Sequence, residues 1–131
     1  MRHLVAYARR RKAWSELTYQ QYNVLRMIDV EGPSGQAEVA RRLLVSAPVV
    51  TRLASTLVET GLVERSSDPN DRRAVRLVLT SAGRRRSRAM RRDLLAAARE
   101  LLEPIPAERR AAIGAALEEL QVLLPSRSTR R

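Results

Sequence analysis

Apolar residues recur every three or four positions through most of the chain, a spacing that predicts a mainly helical fold. One helix begins at Thr18, where Gln21 three residues later completes a capping box. Another begins after Ser46, accommodates Pro48 in its first turn and ends at Gly61. The predicted helices cover residues 3–14, 18–30, 36–44 and 47–60, a long segment that Thr80 caps, and residues 107–124.

Between residues 61 and 80 the pattern changes to alternation, which predicts a β-hairpin. The segment 68–71, Asp-Pro-Asn-Asp, supplies turn residues between its two arms. Apolar residues alternate through the arms at Leu62, Val63, Val75, Leu77 and Leu79. Helix followed by hairpin is the order of a winged helix-turn-helix. We therefore expect a mainly α (α+β) fold, with a two-stranded β wing and helices at both chain ends.

The two predicted elements carry surfaces that suit DNA. The side of the 47–60 helix opposite its apolar stripe is small or polar, as a helix needs if it is to enter the major groove. Arg72 and Arg73 lie at the tip of the hairpin, and Arg65 and Arg76 lie on its arms. Guanidinium groups on a narrow ribbon suit the minor groove, where the negative potential is concentrated.

The distribution of charge favours the same partner. The chain carries a formal net charge of +11, with 24 Arg and one Lys. Residues 65–92 contain ten Arg against two Asp, whereas residues 97–124 contain three Arg against five Glu. A general bias toward Arg would not separate the charges in this way. The basic stripe therefore indicates a nucleic acid.

Residue types that carry catalysis or bind metals are scarce. The chain has no Cys and a single His, His3, which excludes disulfides, thiolate chemistry and Cys-ligated zinc. Because it has no nucleophile–base pair and no glycine-rich phosphate loop, we expect no enzyme, no cofactor and no metal site. No apolar run approaches the ~20 residues of a membrane span, and no signal-peptide region begins the chain. We expect a soluble cytoplasmic protein that binds no membrane.

Six short motifs follow one another along the chain. They are LTYQQYNVL at 17–25, AEVA at 37–40, SAPVVTRL at 46–53, GLVER at 61–65, DPNDRR at 68–73 and LTSAG at 79–83. In this order they resemble the MarR family of bacterial transcriptional regulators. The resemblance covers residues 17–124, and the hairpin segment is its most specific part.

The resemblance implies a homodimer that binds a pseudo-palindromic operator in double-stranded DNA. It implies that the 47–60 helix enters the major groove and that Arg73, oriented by Asp71, reaches into the minor groove. From the residues alone, Arg52 could contact base edges or a phosphate, and Asp71 could be a plain turn residue or an ion-pair partner. The residues expected to contact DNA are Ser46, Ala47, Pro48, Val49, Thr51, Arg52, Arg65, Asp71, Arg72, Arg73 and Arg76.

Apolar positions in the segment 107–124 exceed what one packing face requires. An exposed apolar stripe there would be a liability unless a second chain covered it. Packing within the monomer is the alternative, but it accounts for one face only. The residues expected at the dimer interface are Leu4, Ile113, Leu117, Leu120 and Leu124.

A ligand site is a further implication of the resemblance. In this family small, often aromatic or phenolic molecules can bind between the dimerisation helices and the DNA-binding lobe. The candidates to contact such a ligand are equally consistent with ordinary core or interface residues. They are Tyr7, Trp14, Tyr22 and Met27.

These expectations combine into one domain over residues 1–131. It has a DNA-binding lobe at 17–80, a helical dimerisation region at 1–16 and 81–124, and a basic tail at 125–131. The predicted function is that of a sequence-specific DNA-binding transcriptional regulator, a repressor that a small-molecule ligand releases. A non-sequence-specific DNA-coating or architectural protein is the alternative that the charge also permits.

Overall fold

Helices and a small sheet make up the structure, a computed structural model that describes residues 10–123. After a 3₁₀ turn at Lys12–Trp14, the described residues form five α-helices and three β-strands. The helices are α1 (Tyr19–Glu31), α2 (Gln36–Leu43), α3 (Ala47–Glu59), α4 (Ser81–Leu102) and α5 (Ala107–Leu123). The strands are β1 (Ser34–Gly35), β2 (Val63–Asp68) and β3 (Asp71–Leu79). The predicted mainly helical class with a winged helix-turn-helix is confirmed.

The helix predicted at residues 3–14 lies largely outside the described residues. Its described end forms a turn and a 3₁₀ segment instead of an α-helix. The other five predicted helices are present as α1 to α5. Helical spacing was therefore a sound guide to the five helices that the described residues form.

Side chains cap the starts of α1 and α4. Thr18 Oγ1 accepts from the backbone N–H of Gln21 at 3.2 Å, and the Thr18 N–H donates to Gln21 Oε1 at 2.7 Å. This confirms the capping box. Thr80 Oγ1 accepts from the N–H of residue 83 at 2.9 Å. Ser46 precedes α3 as its N-cap residue, but its side chain makes no capping bond.

The sheet has three antiparallel strands in the order β1-β3-β2, one more than predicted. β2 pairs with β3 from Val63 opposite Leu79 out to the tip. β1 pairs with the other edge of β3, opposite Leu77 and Arg76. A strand of two residues has no alternation that a sequence can display, so β1 could not be predicted from the pattern.

Burial changes along the hairpin formed by β2 and β3. Val63, Leu77 and Leu79 are buried at its base. Val75 belongs to the same alternation, yet it is 48% exposed because it lies opposite Ser67 near the tip, beyond the hydrophobic core. The base of the hairpin is therefore part of the core, and its tip is free to contact a partner.

The chain divides into two compact units after Leu95. The first contains the winged helix and the beginning of α4, and its core is largely aliphatic. The fully buried aliphatic residues of that core include Val24, Leu25, Val39, Val50, Leu57 and Leu77. The second unit contains the end of α4 and α5.

Hydrogen bonds attach the segment before α1 to α4. Trp14 is 1% exposed, and its Nε1 donates to the carbonyl oxygen of Met90 at 2.9 Å. Arg86 Nε donates to the carbonyl oxygen of Ala13 at 2.6 Å, and its Nη2 donates to that of Ser15. One guanidinium group thus binds two backbone carbonyls of the segment. Arg86 is a structural residue rather than part of a solvated basic face.

We predict that Gly83→Ala strongly destabilises the fold. A Cβ at residue 83 would lie 1.9 Å from the backbone carbonyl oxygen of Leu62, which cannot rotate away as a side chain could. Overpacking of this kind costs about 1–3 kcal/mol, and contact with backbone belongs at the upper end. Urea denaturation measures the change. Ser81→Ala, at an exposed position in the same turn, should alter stability by less than about 0.5 kcal/mol. Equal unfolding midpoints for Gly83→Ala and the wild type would contradict the prediction.

Candidate nucleic-acid interface

α3 has one buried side and one exposed side. Val50, Ala54 and Leu57 are fully buried and attach it to the core. The residues of this segment that were predicted to contact DNA lie away from that side: Ser46, Ala47, Pro48, Thr51 and Arg52 are exposed and Val49 is half-buried. Within the described part of the chain, no residue bonds to the Arg52 side chain. Its guanidinium group is therefore available to a partner.

Polar side chains connect α3 to α2 and to the hairpin. Thr51 Oγ1 lies 3.1 Å from Gln36 Oε1 and 3.1 Å from the carbonyl oxygen of Ala47. Ser55 Oγ accepts from Arg65 Nη2 at 3.2 Å. Arg65, predicted to contact DNA, thus connects the hairpin to α3. Gln36 has no signal in the sequence, because its approach to Thr51 depends on how α2 and α3 pack.

Arg76, also predicted to contact DNA, is engaged within the protein. Its Nη2 donates to the carbonyl oxygen of Pro33 at 3.0 Å, and its Nη1 lies 3.9 Å from Asp68 Oδ1. The first contact joins β3 to the loop before β1, and the second joins it to the end of β2. Arg72 and Arg73 differ, since both are exposed at the tip and their guanidinium groups have no partner among residues 10–123. The structure thus brings two of the four hairpin arginines to the tip.

Aspartates shape the turn at the tip. Asp68 Oδ1 accepts from the backbone N–H of Asn70 at 2.9 Å, and Asp71 Oδ1 accepts from the backbone N–H of Arg73 at 3.0 Å. Asp71 therefore fixes the backbone of Arg73 and not its guanidinium group. Of the two alternatives for Asp71, the structure favours the turn residue. The ion pair with an arginine belongs to Asp68.

An acidic and basic network supports α2. Glu38 contacts Arg41 at 2.9 Å and Arg42 at 3.1 Å, and Arg42 also reaches Glu31 at 3.2 Å. The hydrogen bond from Arg42 is the main cause that holds the pKa of Glu38 below its usual value. A lowered carboxyl pKa stabilises the fold above the ordinary pKa, and this stabilisation is lost as the pH falls through the lowered value. Because the carboxylate is exposed, the contribution is small.

An open cleft of about 530 Å³ lies between α1 and α4. Arg84 Nη1 lies 3.6 Å from Asp29 Oδ1, and Arg88 Nε lies 3.9 Å from Asp29 Oδ2. Four arginines and two exposed apolar side chains line the cleft together with Asp29. The lining residues are Arg26, Asp29, Val30, Ser87, Arg88, Arg91, Arg92 and Leu95. The cleft is therefore cationic with apolar patches.

The candidate ligand residues that the structure describes are buried. The ring of Trp14 lies 5.0 Å from that of Tyr22, centroid to centroid, and both belong to the core. Burial raises the pKa of the Tyr22 hydroxyl. Met27 is 9% exposed at the edge of a separate recess beside α2. Tyr7 lies outside the described residues.

α5 carries the apolar stripe predicted to mediate dimerisation. Ile113, Leu117 and Leu120 are 43%, 55% and 52% exposed. Leu4 and Leu124 lie outside the described residues. Three large apolar side chains on one side of an exposed helix form a surface that a partner could cover.

Two features are not found within residues 10–123. None of the helices there is long and apolar enough to cross a membrane. No group of three His, Cys, Asp or Glu side chains lies close enough together there to hold a metal ion.

Comparison with known proteins relates the winged helix to one family. The model of the MarR family matches residues 15–74. YpoP from Bacillus subtilis (strain 168), an uncharacterised HTH-type transcriptional regulator, is 35% identical over 68 residues. TtmR from Methylorubrum extorquens (strain PA1), another HTH-type transcriptional regulator, is 38% identical over 72 residues. These matches cover 52% and 55% of this chain, but only 48% and 37% of the two relatives.

A solved structure is similar over most of the chain. The crystal structure of a mutant MarR from E. coli has a TM-score of 0.82 and 26% sequence identity. The similarity covers 92% of this chain and 86% of the E. coli chain. It thus extends beyond the segment that the family model matches.

Proposed function

We infer that this chain, a member of the MarR family through its residues 15–74, is a sequence-specific DNA-binding transcriptional regulator. One observation carries the inference. An exposed helix side with Arg52 and a hairpin with Arg72 and Arg73 at its tip belong to the same compact unit, and no described residue bonds to these three guanidinium groups. Family and fold are those of transcription regulators rather than enzymes.

We propose that α3 enters the major groove and that the hairpin enters the minor groove. Residues 46–49 and Thr51 are small enough to let α3 approach base edges, and Arg52 can reach guanine or a phosphate. At the hairpin tip, Arg72 and Arg73 meet the narrow minor groove. Arg65, Arg76 and Asp71 act mainly by holding the hairpin in shape. A coating protein would need no such shaped surface, although charge alone permits one.

We predict that Arg73→Ala and Arg52→Ala alter binding in different ways. Loss of a minor-groove arginine should cost about 1–3 kcal/mol and relax the preference at the outer edges of the site. Loss of Arg52 should change the inner positions if it contacts bases, or weaken all sequences alike if it contacts phosphate. Binding-site selection from a random DNA pool, followed by footprinting, measures both effects.

Arg110→Ala on α5 is the control, since it removes the same charge outside the winged helix. It should retain the wild-type site preference. Unchanged affinity and edge preference for Arg73→Ala would show that the hairpin is not a DNA-binding wing. A wild type that selects no sequence and gives no bounded footprint would support the coating protein instead.

We further propose that the protein binds DNA as a homodimer through α5, with Leu4 and Leu124 contributing. Leu117→Glu combined with Leu120→Glu should yield monomers, because charged carboxylates cannot be buried unpaired in an apolar interface. The doubly substituted Ala111→Glu, Ala115→Glu chain adds the same charge on the other side of α5 and should remain dimeric. Sedimentation velocity distinguishes the two. A dimer that survives the leucine substitutions would contradict this interface. DNA affinity should fall with the dimer, since two half-sites are then no longer linked.

Finally, we propose that the regulator is a repressor released by a small aromatic anion, and that the cleft between α1 and α4 receives it. Trp14 and Tyr22 are packed together in the core, whereas the cleft is open, cationic and partly apolar. Guanidinium groups form bidentate hydrogen bonds with carboxylates, and Val30 and Leu95 can contact an aromatic ring. The cleft thus offers both kinds of contact that an aromatic carboxylate needs.

Benzoate is the probe that tests the cleft. We predict that excess benzoate raises the melting temperature, because a ligand that binds only the folded state stabilises it, and that it weakens operator binding. Arg91→Gln should abolish both responses, whereas Arg110→Gln should retain them. Responses that persist in Arg91→Gln would move the ligand to another site. If benzoate raised the melting temperature without lowering the affinity for DNA, the proposal that the ligand releases the repressor from its operator would be contradicted.

A further inference from the structure

Gln36 presents hydrogen-bond donors beside the exposed side of α3. It is the first residue of α2, and the hydroxyl of Thr51 lies 3.1 Å from its Oε1. Since the amide oxygen can only accept, Thr51 is the donor in this bond, and its single hydroxyl proton is shared with the carbonyl oxygen of Ala47, which also lies 3.1 Å away. The Nε2 group of Gln36 keeps two N–H donors, and no residue in the described part of the chain accepts from them.

The location of these donors suggests their partner. In a helix-turn-helix the first helix crosses the sugar–phosphate backbone while the second enters the major groove. Here α2 is the first helix and α3 the second, and the bond from Thr51 joins the start of α2 to α3. We therefore expect the free amide to lie near the path of the sugar–phosphate backbone when α3 is in the groove.

We propose that Gln36, held in place by Thr51, donates a hydrogen bond from Nε2 to a phosphate oxygen of the operator. This contact sets the register of α3 in the groove, and the inference rests on the DNA-binding function proposed above. Gln36 is a positioning residue: it anchors the reading helix but reads no base. The hydroxyl of Thr51 fixes the amide plane, so the donors are oriented before DNA arrives.

A neutral donor has a measurable signature that an arginine lacks. A bound Lys or Arg releases counterions from DNA, so its loss reduces the slope of log affinity against log salt concentration. An amide releases none. Loss of Gln36 should therefore lower the affinity by the same factor at every salt concentration, whereas loss of Arg73 should also reduce the slope.

The experiment measures DNA affinity by fluorescence anisotropy over a range of salt, on the selected site and on single-base variants of it. Gln36→Ala should weaken binding about 10- to 100-fold per half-site, the value of a hydrogen bond to a charged group, with an unchanged salt slope and unchanged base preference. Gln36→Met keeps the length of the side chain without donors and should give the same loss. Gln36→Glu should bind more weakly still, because it places a negative charge beside a phosphate.

Thr51→Val and the control Gln20→Ala complete the set. Thr51→Val removes the hydroxyl but keeps the shape of the side chain. In the double mutant, the loss of DNA-binding free energy should be smaller than the sum of the losses in Thr51→Val and Gln36→Ala, since both substitutions disturb one contact. Gln20, an exposed glutamine on α1, should tolerate alanine at wild-type affinity. Fully additive losses would overturn the pairing of Thr51 with Gln36.

The outcomes separate this inference from the proposed function. A wild type that binds no defined site refutes the function itself. If the wild type binds and Arg73→Ala weakens binding, wild-type affinity for both Gln36→Ala and Gln36→Met overturns the contact alone. A changed base preference in those variants would mean that Gln36 meets a base edge, and would overturn the phosphate assignment.

Discussion

The attachment of the hairpin base to α3 and to the core determines what the rest of the surface can do. Val63, Leu77 and Leu79 are buried beneath the hairpin, and Arg65 donates to Ser55 on α3. The buried side chains provide most of the stability of this attachment, because an exposed hydrogen bond to a neutral hydroxyl adds only about 1 kcal/mol. The bond from Arg65 to Ser55 instead restricts the orientation of the hairpin relative to α3. Two grooves of one DNA duplex can be contacted together only if the hairpin and α3 keep a fixed separation, which this base provides.

Partners within the protein, rather than sequence position, divide the arginines into two groups. Arg65, Arg76 and Arg86 bind a hydroxyl, a carboxylate or backbone carbonyls, and they hold elements together. Arg52 and the tip arginines have no such bonds to any residue between 10 and 123. A net charge of +11 therefore overstates how much guanidinium is free for DNA. A charged side chain that is already bonded would have to break that bond before it could meet a phosphate, which makes the unpaired arginines the more effective contacts.

Local chemistry could be predicted from the sequence, and contacts across the fold could not. The capping box of Thr18 and Gln21, the turn at Asp68–Asp71 and the helices depend on neighbours within four residues, so their signals lie in short windows. The two residues of β1 pair only because β3 presents an open edge to them. Likewise, Arg76 reaches Pro33 and Arg86 reaches Ala13 across 43 and 73 positions. Nothing in the local sequence distinguishes them from Arg72, so only the fold separates structural arginines from those without a partner among the described residues.

The energies around the cleft limit how a bound anion could act on DNA binding. Asp29 pairs with Arg84 and Arg88 at 3.6 and 3.9 Å, and both arginines are more than half exposed. Asp29 is only 18% exposed, but pairs of this length with exposed arginines contribute about 0–1 kcal/mol, whereas coupling between two sites in a regulator is about 1–3 kcal/mol. Displacing Asp29 from its arginines is therefore too weak a change by itself. An effective ligand must also alter the packing of α4. Trp14 donates to a carbonyl oxygen of this helix, Arg86 of the helix donates to the segment before α1, and burial makes small displacements there costly. The coupling between ligand binding and DNA binding should therefore depend more on the size of the apolar ring that a ligand inserts than on its charge. In an open, solvated cleft, water screens the interactions of that charge.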